Sequence, residues 1–338
     1  MPFLTDDQPR MLHIVNGDST RMGLERSNVP GTYASWGDVL HDGPTPAGVT
    51  PEAWRRVRVA YLVSRESERI EERAGDVARQ YEREDAALES WPGHDEVVFW
   101  FEHDLYDQLI LIHHLDWLSR IPDRQGTQFS LICGSTYLGP LKPEQLDALF
   151  PTRVPVDVAQ VRLGSRAWEA FCAPAPQPLE LVANSDTSAL PFLAGALRRH
   201  FEDYPSVENG LSRSETQLLK AIDAGASTLH DTFAACARME ERVFMGDATF
   251  LTIVRRLASA AHPLMTMQSG PMRQGFPLGD VALTEAGREV LGGRADQIRL
   301  NGIDRWMGGV HLTAAKSYRW NGERVIESER RVGAGELQ

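Results

Sequence analysis

The chain has 338 residues, of which 42% are hydrophobic and 24% are charged, and its formal net charge is −12 at pH 7. This length exceeds what one small compact domain holds, so we expect two or three domains. The composition is typical of soluble globular proteins, and no apolar run reaches the about 18 residues of a transmembrane helix, so no membrane contact is expected. The acidic N-terminal segment lacks the basic flank and apolar centre of a secretory signal.

Cysteine usage and charge distribution narrow the class of protein further. Cys133, Cys172 and Cys236 lie far apart, are odd in number and show no metal-type spacing, which predicts a reduced, cytoplasmic protein.

Residues 211–338 contain 16 basic and 15 acidic side chains, whereas residues 1–210 contain 19 basic and 32 acidic ones. Because the first two thirds would repel a nucleic-acid backbone, any contact with a polyanion is expected in the last third.

Strands and helices alternate in the N-terminal part of the chain. Apolar runs that stop at turn residues predict strands, at 11–15, 32–36, 96–101 and 129–133. Helices are predicted between them, one starting with Thr50 as N-cap and Pro51 at its first position, another over 105–118. This order predicts an α/β domain over residues 1–150, with a mostly parallel, Rossmann-like sheet flanked by helices.

The rest of the chain is mainly helical. Residues 151–205 are predicted as a helical connector. A capping box from Ser212 to Glu215 opens three predicted helices, and a strand pair around a Gly/Pro-rich loop follows them. Three helices and a two-stranded wing predict a winged-helix-like domain over 206–300, followed by a C-terminal extension over 301–338.

The most informative segment is the end of the third predicted strand. The apolar run 96–101 leads directly into Glu102, His103 and Asp104. Asp107 follows three residues later. Ionisable side chains directly after a buried strand are costly to bury without partners, and ligand sites of α/β proteins lie beyond strand carboxyl ends. The segment therefore predicts a site, with Glu102 and His103 as candidate catalytic residues.

The ends of the other predicted strands would meet this segment at one edge of the sheet. Asp18 is the third candidate catalytic residue at this edge. The candidate ligand-binding residues there are Asn16, Gly17, Ser19, Trp36, Asp38, Asp104, Asp107 and Ser135. Gly17 allows a tight turn, and the helix start after it suits an anionic group. The turn lacks the further glycines of a dinucleotide fingerprint or P-loop, so a plain capping turn is an equal alternative.

Three interpretations of the Glu-His-Asp segment remain open. The first is a divalent metal site, because histidine and carboxylates suit such an ion. The second is general acid–base catalysis, with His103 oriented by a carboxylate. The third is structural, with Asp104 as helix cap and Asp107 beside the positive end of the helix. The structural interpretation does not account for Glu102 and His103, and the sequence leaves both cofactor and metal unassigned.

The predicted winged helix offers a thin basic surface. Its third helix carries Thr249, Thr252, Arg255 and Arg256, and its wing carries Arg273. DNA binding needs several phosphate contacts, and this part of the chain is nearly neutral. DNA therefore stays an alternative partner, beside protein interaction or packing.

Several motifs resemble one bacterial family. The segments that carry the resemblance to the bacterial domain-of-unknown-function family eighteen thirty-five are 13–19 (His-Ile-Val-Asn-Gly-Asp-Ser), 36–44 and 100–108. The similarity covers residues 1–150 and continues through 186–192 into 244–247. The family comes without an assigned reaction, so the resemblance supports the choice of motifs and implies no activity.

The sequence supports one leading hypothesis and two alternatives. Residues 1–150 are expected to bind a small anionic or nucleotide-like ligand at the strand ends. If the protein is an enzyme, hydrolysis or group transfer suits carboxylates and histidine better than redox chemistry, because no cofactor fingerprint is visible. The alternatives are a ligand-responsive transcription regulator, which uses the winged helix for DNA or protein binding, and a non-catalytic interaction scaffold. Nothing in the sequence indicates the oligomeric state.

Overall fold

The computed structural model describes residues 9–65, 70–268, 270, 272–273 and 276–328. The helices are α1 (Asp18–Leu24), α2 (Pro51–Ser64), α3 (Ile70–Glu89), α4 (Leu105–Ser119), α5 (Pro143–Leu149), α6 (Val158–Phe171), α7 (Gln177–Ala183), α8 (Leu193–Phe201), α9 (Arg213–Asp223), α10 (Leu229–Arg238), α11 (Asp247–Ala258), α12 (Glu285–Leu291) and α13 (Gln297–Asn301). The strands are β1 (Met11–Val15), β2 (Thr32–Ser35), β3 (Gly43–Pro44), β4 (Glu96–Phe101), β5 (Gln128–Cys133), β6 (Val154–Pro155), β7 (Met265–Met267), β8 (Met272–Arg273), β9 (Phe276–Pro277), β10 (Val281–Leu283), β11 (Asp304–Gly308), β12 (Val310–Thr313), β13 (Tyr318–Trp320) and β14 (Val325–Glu327).

The largest sheet has five strands in the order β2-β1-β4-β5-β6. The first four run parallel, and β6 joins β5 as an antiparallel edge strand. Helices flank this sheet, which confirms the predicted α/β class with a mostly parallel sheet. The chain moves from β1 to β2 on one side and later returns to β4 on the other. The strand order therefore reverses at β1.

The strand β4 is buried on both faces. Residues 97–101 have no exposed surface, as expected for a parallel strand that is covered by helices on both sides. The covering helix α4 is apolar around most of its circumference. Its neighbour α6 approaches closely at Gly164, where an added Cβ would lie 2.4 Å from the Cβ of Leu115. A side chain at this position would push the two helices apart.

The helices α9, α10 and α11 surround a second apolar core, which includes Leu218, Phe250 and Leu257. The predicted capping box opens α9, with reciprocal hydrogen bonds between Ser212 and Glu215. The sheets of this region are small and antiparallel. One pairs β7 with β10 and the other pairs β8 with β9.

The last described segment returns to the N-terminal part of the chain. The strand β11 pairs with β12 and also with β3, where Met307 lies opposite Gly43. The amide of Thr45 donates to the carbonyl oxygen of Gly308 at 3.0 Å. The predicted extension 301–338 thus packs, through β11, against the loop that precedes α2. Its residues 329–338 lie outside the described part.

None of the helices within the described residues is both long and apolar enough to cross a membrane.

Candidate functional site

The candidate site lies where the carboxyl ends of β1 and β4 meet. Val15 pairs with Trp100 near the end of both strands, so Asn16 and Glu102 follow on adjacent strands. The strand order reverses between these two strands, and ligands of open parallel sheets bind at such a switch point. We call this region the β1–β4 edge.

Three carboxylates at the β1–β4 edge form what we call the acidic cluster: Glu102, Asp104 and Asp107. One oxygen of each lies within 4.8 Å of the others. Their exposed fractions are 5%, 3% and 1%. In the described part of the chain, no arginine or lysine lies within 4.0 Å of these three carboxylates. The fold therefore buries three acidic groups side by side, and none of them forms a salt bridge with a described residue.

Asn16 binds two members of the acidic cluster. Its side-chain amide donates to Glu102 Oε1 at 3.1 Å and to Asp107 Oδ2 at 2.9 Å. The hydroxyl of Thr20 donates to Asn16 Oδ1 at 3.1 Å, which orients the amide nitrogen toward the carboxylates. Asn16 thus joins the end of β1 to the start of α4.

Backbone amides supply further hydrogen bonds to the cluster. Leu138 N donates to Glu102 Oε1 at 2.7 Å, and Glu102 N donates to Asp107 Oδ1 at 2.8 Å. Asp104 is the N-cap of α4 and accepts from Asp107 N at 3.2 Å. These bonds favour ionised carboxylates, since an oxygen that accepts N–H donors holds its negative charge more readily.

Burial opposes those hydrogen bonds and raises the pKa of all three carboxyl groups. Burial is the largest cause of the increased pKa of Glu102. It raises the pKa of Asp104 to about 7, with the nearby charge of Glu102 adding to the increase. Burial and the charge of Asp104 raise the pKa of Asp107 well above its ordinary value. Because like charges this close cannot all ionise cheaply, the cluster holds protons near neutral pH.

His103 lies beside the acidic cluster but is not part of it. Its ring centroid is 5.1 Å from that of Tyr137 and 5.9 Å from that of Phe192. Nδ1 is buried without a hydrogen-bond partner among the described residues. Burial lowers the pKa of His103, and the charge of Arg242 lowers it further. His103 is therefore neutral at pH 7 and able to accept a proton.

Arg242 and Tyr137 are two residues near the site that the sequence patterns did not indicate. Arg242 Nη1 donates to the carbonyl oxygen of His103 at 3.1 Å. Tyr137 follows β5, so the strand-end argument that selected Ser135 also applies to it. Arg242 lies 139 positions away from His103 in the chain, and no local pattern connects the two.

Other candidate residues at the strand ends lie outside the acidic cluster. Asp18 accepts from Ser35 Oγ at 2.8 Å and from Arg21 Nε at 3.1 Å, and its side chain is 74% exposed. Gly17 is the N-cap residue of α1, and as a glycine it has no side chain that could cap the helix. Ser19 and Ser135 are exposed. The structure therefore joins Asn16, Glu102, Asp104 and Asp107 in one hydrogen-bonded group. Asp18, Gly17, Ser19 and Ser135 make no described side-chain hydrogen bond to this group.

Asp38 and Trp36 are both bound by other residues of the chain, Asp38 through an ion pair and Trp36 through ring stacking and a hydrogen bond. Asp38 accepts two hydrogen bonds from Arg58, Nε to Oδ2 at 2.9 Å and Nη2 to Oδ1 at 2.5 Å, and both side chains are fully buried. Trp36 is buried, stacks on the ring of His113 at 4.7 Å and donates to Asp85 Oδ1 at 3.2 Å. Their described contacts are those of structural residues.

The candidate nucleic-acid residues of α11 face other parts of the same chain. Arg256 donates to the buried carboxylate of Glu215 at 2.8 Å. Arg255 is exposed and donates to the carbonyl oxygen of Arg65 at 3.3 Å. Thr252 accepts from Arg65 Nε at 3.0 Å. Arg273 lies on β8, but its side chain is outside the described part.

The acidic cluster contains the groups best suited to a divalent metal in the described part of the chain. Carboxylate oxygens are the ligands that Mg²⁺, Ca²⁺ and Mn²⁺ prefer. Glu102 and Asp107 already accept hydrogen bonds from Asn16 and from backbone amides. A metal would therefore have to share these oxygens with N–H donors.

A shallow groove of about 430 Å³ lies between α4 and α6, away from these residues. Its lining residues are Ser119, Val158, Val161, Arg162, Ser165, Arg166 and Glu169. It contains none of the candidate site residues.

A scan against protein families found no family that matches the chain, and a search of curated proteins found no match. The function is therefore argued from the geometry of the β1–β4 edge alone.

Proposed function

We propose that the protein binds a small anionic or nucleotide-like ligand at the β1–β4 edge of its N-terminal domain. The observation that carries this proposal is the acidic cluster, three buried carboxyl groups at the point where the strand order reverses. Their oxygens would accept hydrogen bonds from the hydroxyl groups of a nucleotide-like ligand, whose anionic group would lie outside the cluster. Burying such groups costs stability, and proteins keep costly polar groups mainly where they bind or react.

The chemistry that this site suits is proton transfer during hydrolysis or group transfer. A carboxyl group whose pKa is about 7, as for Asp104, can both donate and accept a proton at neutral pH. His103 is neutral under the same conditions because burial lowers its pKa. A proton-holding carboxyl beside a neutral imidazole supplies an acid and a base, and we propose these roles for Asp104 and His103.

A thermal-shift experiment tests ligand binding. AMP, ADP and ribose 5-phosphate are added separately, each with and without MgCl₂, and a ligand at a hundred times its Kd stabilises the folded protein by about 2.7 kcal/mol. We expect at least one of them to raise the Tm of the wild type. The variant Glu102→Gln should lose this shift, whereas Asp223→Asn, at an exposed position of α9, should keep it.

Two results would contradict the proposal. One is a wild-type Tm that none of these compounds changes. The other is a shift of equal size in Glu102→Gln, which would place the ligand elsewhere. A shift with MgCl₂ alone would identify a cation as the occupant of the acidic cluster.

A ligand-responsive regulator is the second candidate. The sequence of helices α9 to α11, followed by the antiparallel pair of β7 and β10, supports a winged-helix-like unit. The exposed Arg255 favours a polyanion, but Arg65 and Glu215 occupy much of the remaining polar face of α11. Fluorescence anisotropy with duplex DNA at several salt concentrations tests this function. A salt-dependent affinity that Arg255→Glu abolishes would support it.

A further inference from the structure

We infer that Arg242 completes the site as its anion-binding residue and that the ligand is a phosphorylated polyol. Its phosphate would bind Arg242 and its hydroxyl groups would donate to the acidic cluster. This inference rests on the proposed function, since it needs a ligand at the β1–β4 edge.

Arg242 reaches the site from the segment between α10 and α11. Its Nη1 donates to the carbonyl oxygen of His103 at 3.1 Å, and its guanidinium carbon lies 5.4 Å from the ring centroid of Phe192. The ring of Phe192 in turn contacts the ring of His103. The C-terminal half of the chain thus places one cation beside the residue that follows Glu102.

Arg242 has no carboxylate partner among the described residues, whereas Arg199 and Arg213 each have one. Arg199 pairs with Glu240 at 2.7 Å, and Arg213 pairs with Glu241 at 2.6 Å. Arg242 lies within 4.0 Å of no carboxylate in the described ranges. Its charge is half-buried and compensated only by a backbone carbonyl and an aromatic ring. A half-buried guanidinium without a counter-ion favours an anion at this position.

Tyr137 packs against His103, with ring centroids 5.1 Å apart, near both the cation and the acidic cluster. Burial raises the pKa of the Tyr137 phenol, the charge of Asp104 raises it further, and the charge of Arg242 lowers it. The phenol is therefore within electrostatic reach of both. Arg242 contacts the backbone of His103, which lies between Glu102 and Asp104 in the chain, and it forms no ion pair with the acidic cluster.

His103 offers a ligand one further polar atom beside Arg242. The residue is only 8% exposed, and its buried Nδ1 has no hydrogen-bond partner among the described residues. Buried ring nitrogens are ordinarily paired, because an unpaired one has lost its hydrogen bonds to water. A bound ligand that reaches the space between Tyr137 and Arg242 would contact this imidazole.

The arrangement of charges selects the class of ligand. The planar guanidinium matches a phosphate group, whereas carboxylates accept hydrogen bonds from hydroxyl groups. A ligand that is anionic over its whole length would be repelled by the acidic cluster, and an uncharged sugar would leave Arg242 without a partner. A molecule with a phosphate at one end and a diol at the other fits both the guanidinium of Arg242 and the carboxylates of the acidic cluster.

The test measures the Kd of ribose 5-phosphate, ribose and inorganic phosphate by isothermal titration calorimetry. We expect the wild type to bind ribose 5-phosphate more tightly than either part alone. Arg242→Gln should weaken this affinity at least about tenfold, because it removes a charge-assisted bond. The affinity of Arg242→Lys for ribose 5-phosphate should lie between those of the wild type and Arg242→Gln. Lysine keeps the positive charge but cannot make the two parallel hydrogen bonds of a guanidinium. Arg238→Gln, at an exposed position on α10, should match the wild type.

Three results would overturn the inference. The first is that Arg242→Gln binds ribose 5-phosphate as tightly as the wild type does. The second is that the wild type binds inorganic phosphate as tightly as ribose 5-phosphate. The third is that the wild type does not bind ribose 5-phosphate. Glu102→Gln separates the two proposals. If it loses ribose 5-phosphate while Arg242→Gln binds normally, the proposed site stands and the role of Arg242 is wrong. The opposite result, with Glu102→Gln unaffected, contradicts the proposed site instead.

Discussion

Asn16 donates a hydrogen bond to Asp107 at 2.9 Å, which ties the end of β1 to the first turn of α4. The same amide group also binds Glu102, so one neutral side chain serves two buried carboxylates. An amide can do this without adding charge, which leaves the acidic cluster negative or protonated according to pH. Asn16 therefore contributes to the site by holding the cluster together.

Replacing Asn16 with alanine should destabilise the protein. The change removes two hydrogen bonds to buried carboxylates and leaves those oxygens less well solvated, which costs about 1–3 kcal/mol. Urea unfolding measures the loss. The matched control is Asn184→Ala, because Asn184 is exposed and makes no side-chain hydrogen bond to a described residue. An unchanged free energy of unfolding in Asn16→Ala would mean that these bonds contribute nothing to stability.

Asp104→Asn should make the protein more stable at high pH. The folded pKa of Asp104 is about 7 against an ordinary 3.8, so the folded protein keeps a proton that the unfolded chain has released. Stability contributed by this group is therefore present below the ordinary value and is lost as pH rises toward 7. Asparagine cannot ionise, yet it caps a helix as well as aspartate does.

Unfolding free energies measured from pH 4 to pH 8 test this dependence. The two proteins should be close in stability near pH 4. Asp104→Asn should then become the more stable one as pH rises, by up to about 4 kcal/mol above pH 7. A difference that is constant with pH would show that Asp104 titrates near its ordinary pKa in the folded protein.

Breaking the buried pair of Asp38 and Arg58 should strongly destabilise the protein. Both side chains are fully buried, so Arg58→Met leaves an uncompensated carboxylate inside the protein and should cost about 3–5 kcal/mol. The double variant Asp38→Asn with Arg58→Met removes that charge and should recover part of the loss. Urea unfolding of both variants measures it. If Asp38→Asn alone keeps wild-type stability but loses ligand binding, Asp38 belongs to the site after all.

The local sequence was sufficient to predict the mostly parallel sheet and the position of two candidate residues at adjacent strand ends. Continuous apolar runs such as 97–101 predict buried parallel strands, because only a strand covered on both faces needs no polar side. Because the carboxyl ends of parallel strands lie at the same edge of a sheet, the sequence also predicts that Asn16 and Glu102 share this edge. The strands β1 and β4 are adjacent in the structure. These inferences depend on residues close in sequence and on one topological rule.

The remaining part depends on contacts that no local pattern contains. Asp38 was a candidate ligand residue because it follows a strand, but its partner Arg58 lies on a helix 20 positions away. Arg242 comes from a segment 139 positions beyond His103. Hydrophobic periodicity describes which face of an element is buried, and it does not say which distant side chain meets that face.

Arg65 connects the end of α2 to α11, and its removal should loosen that contact. Its guanidinium donates to Thr252 at 3.0 Å and to Thr249 at 3.3 Å, and it lies 3.2 Å from a carboxylate oxygen of Asp42. Arg65→Ala breaks all three interactions and leaves Asp42 with Tyr61 as its remaining partner. We therefore expect faster amide hydrogen exchange in α11.

Hydrogen-exchange mass spectrometry distinguishes this local effect from general destabilisation. Exchange in α4, which packs in the core of the N-terminal domain, should stay close to that of the wild type, because local openings need not involve the whole fold. Arg56→Ala is the matched control, since Arg56 is an exposed residue of α2, the helix that ends directly before Arg65. Equal protection of α11 in Arg65→Ala and wild type would show that apolar packing alone holds this helix in place.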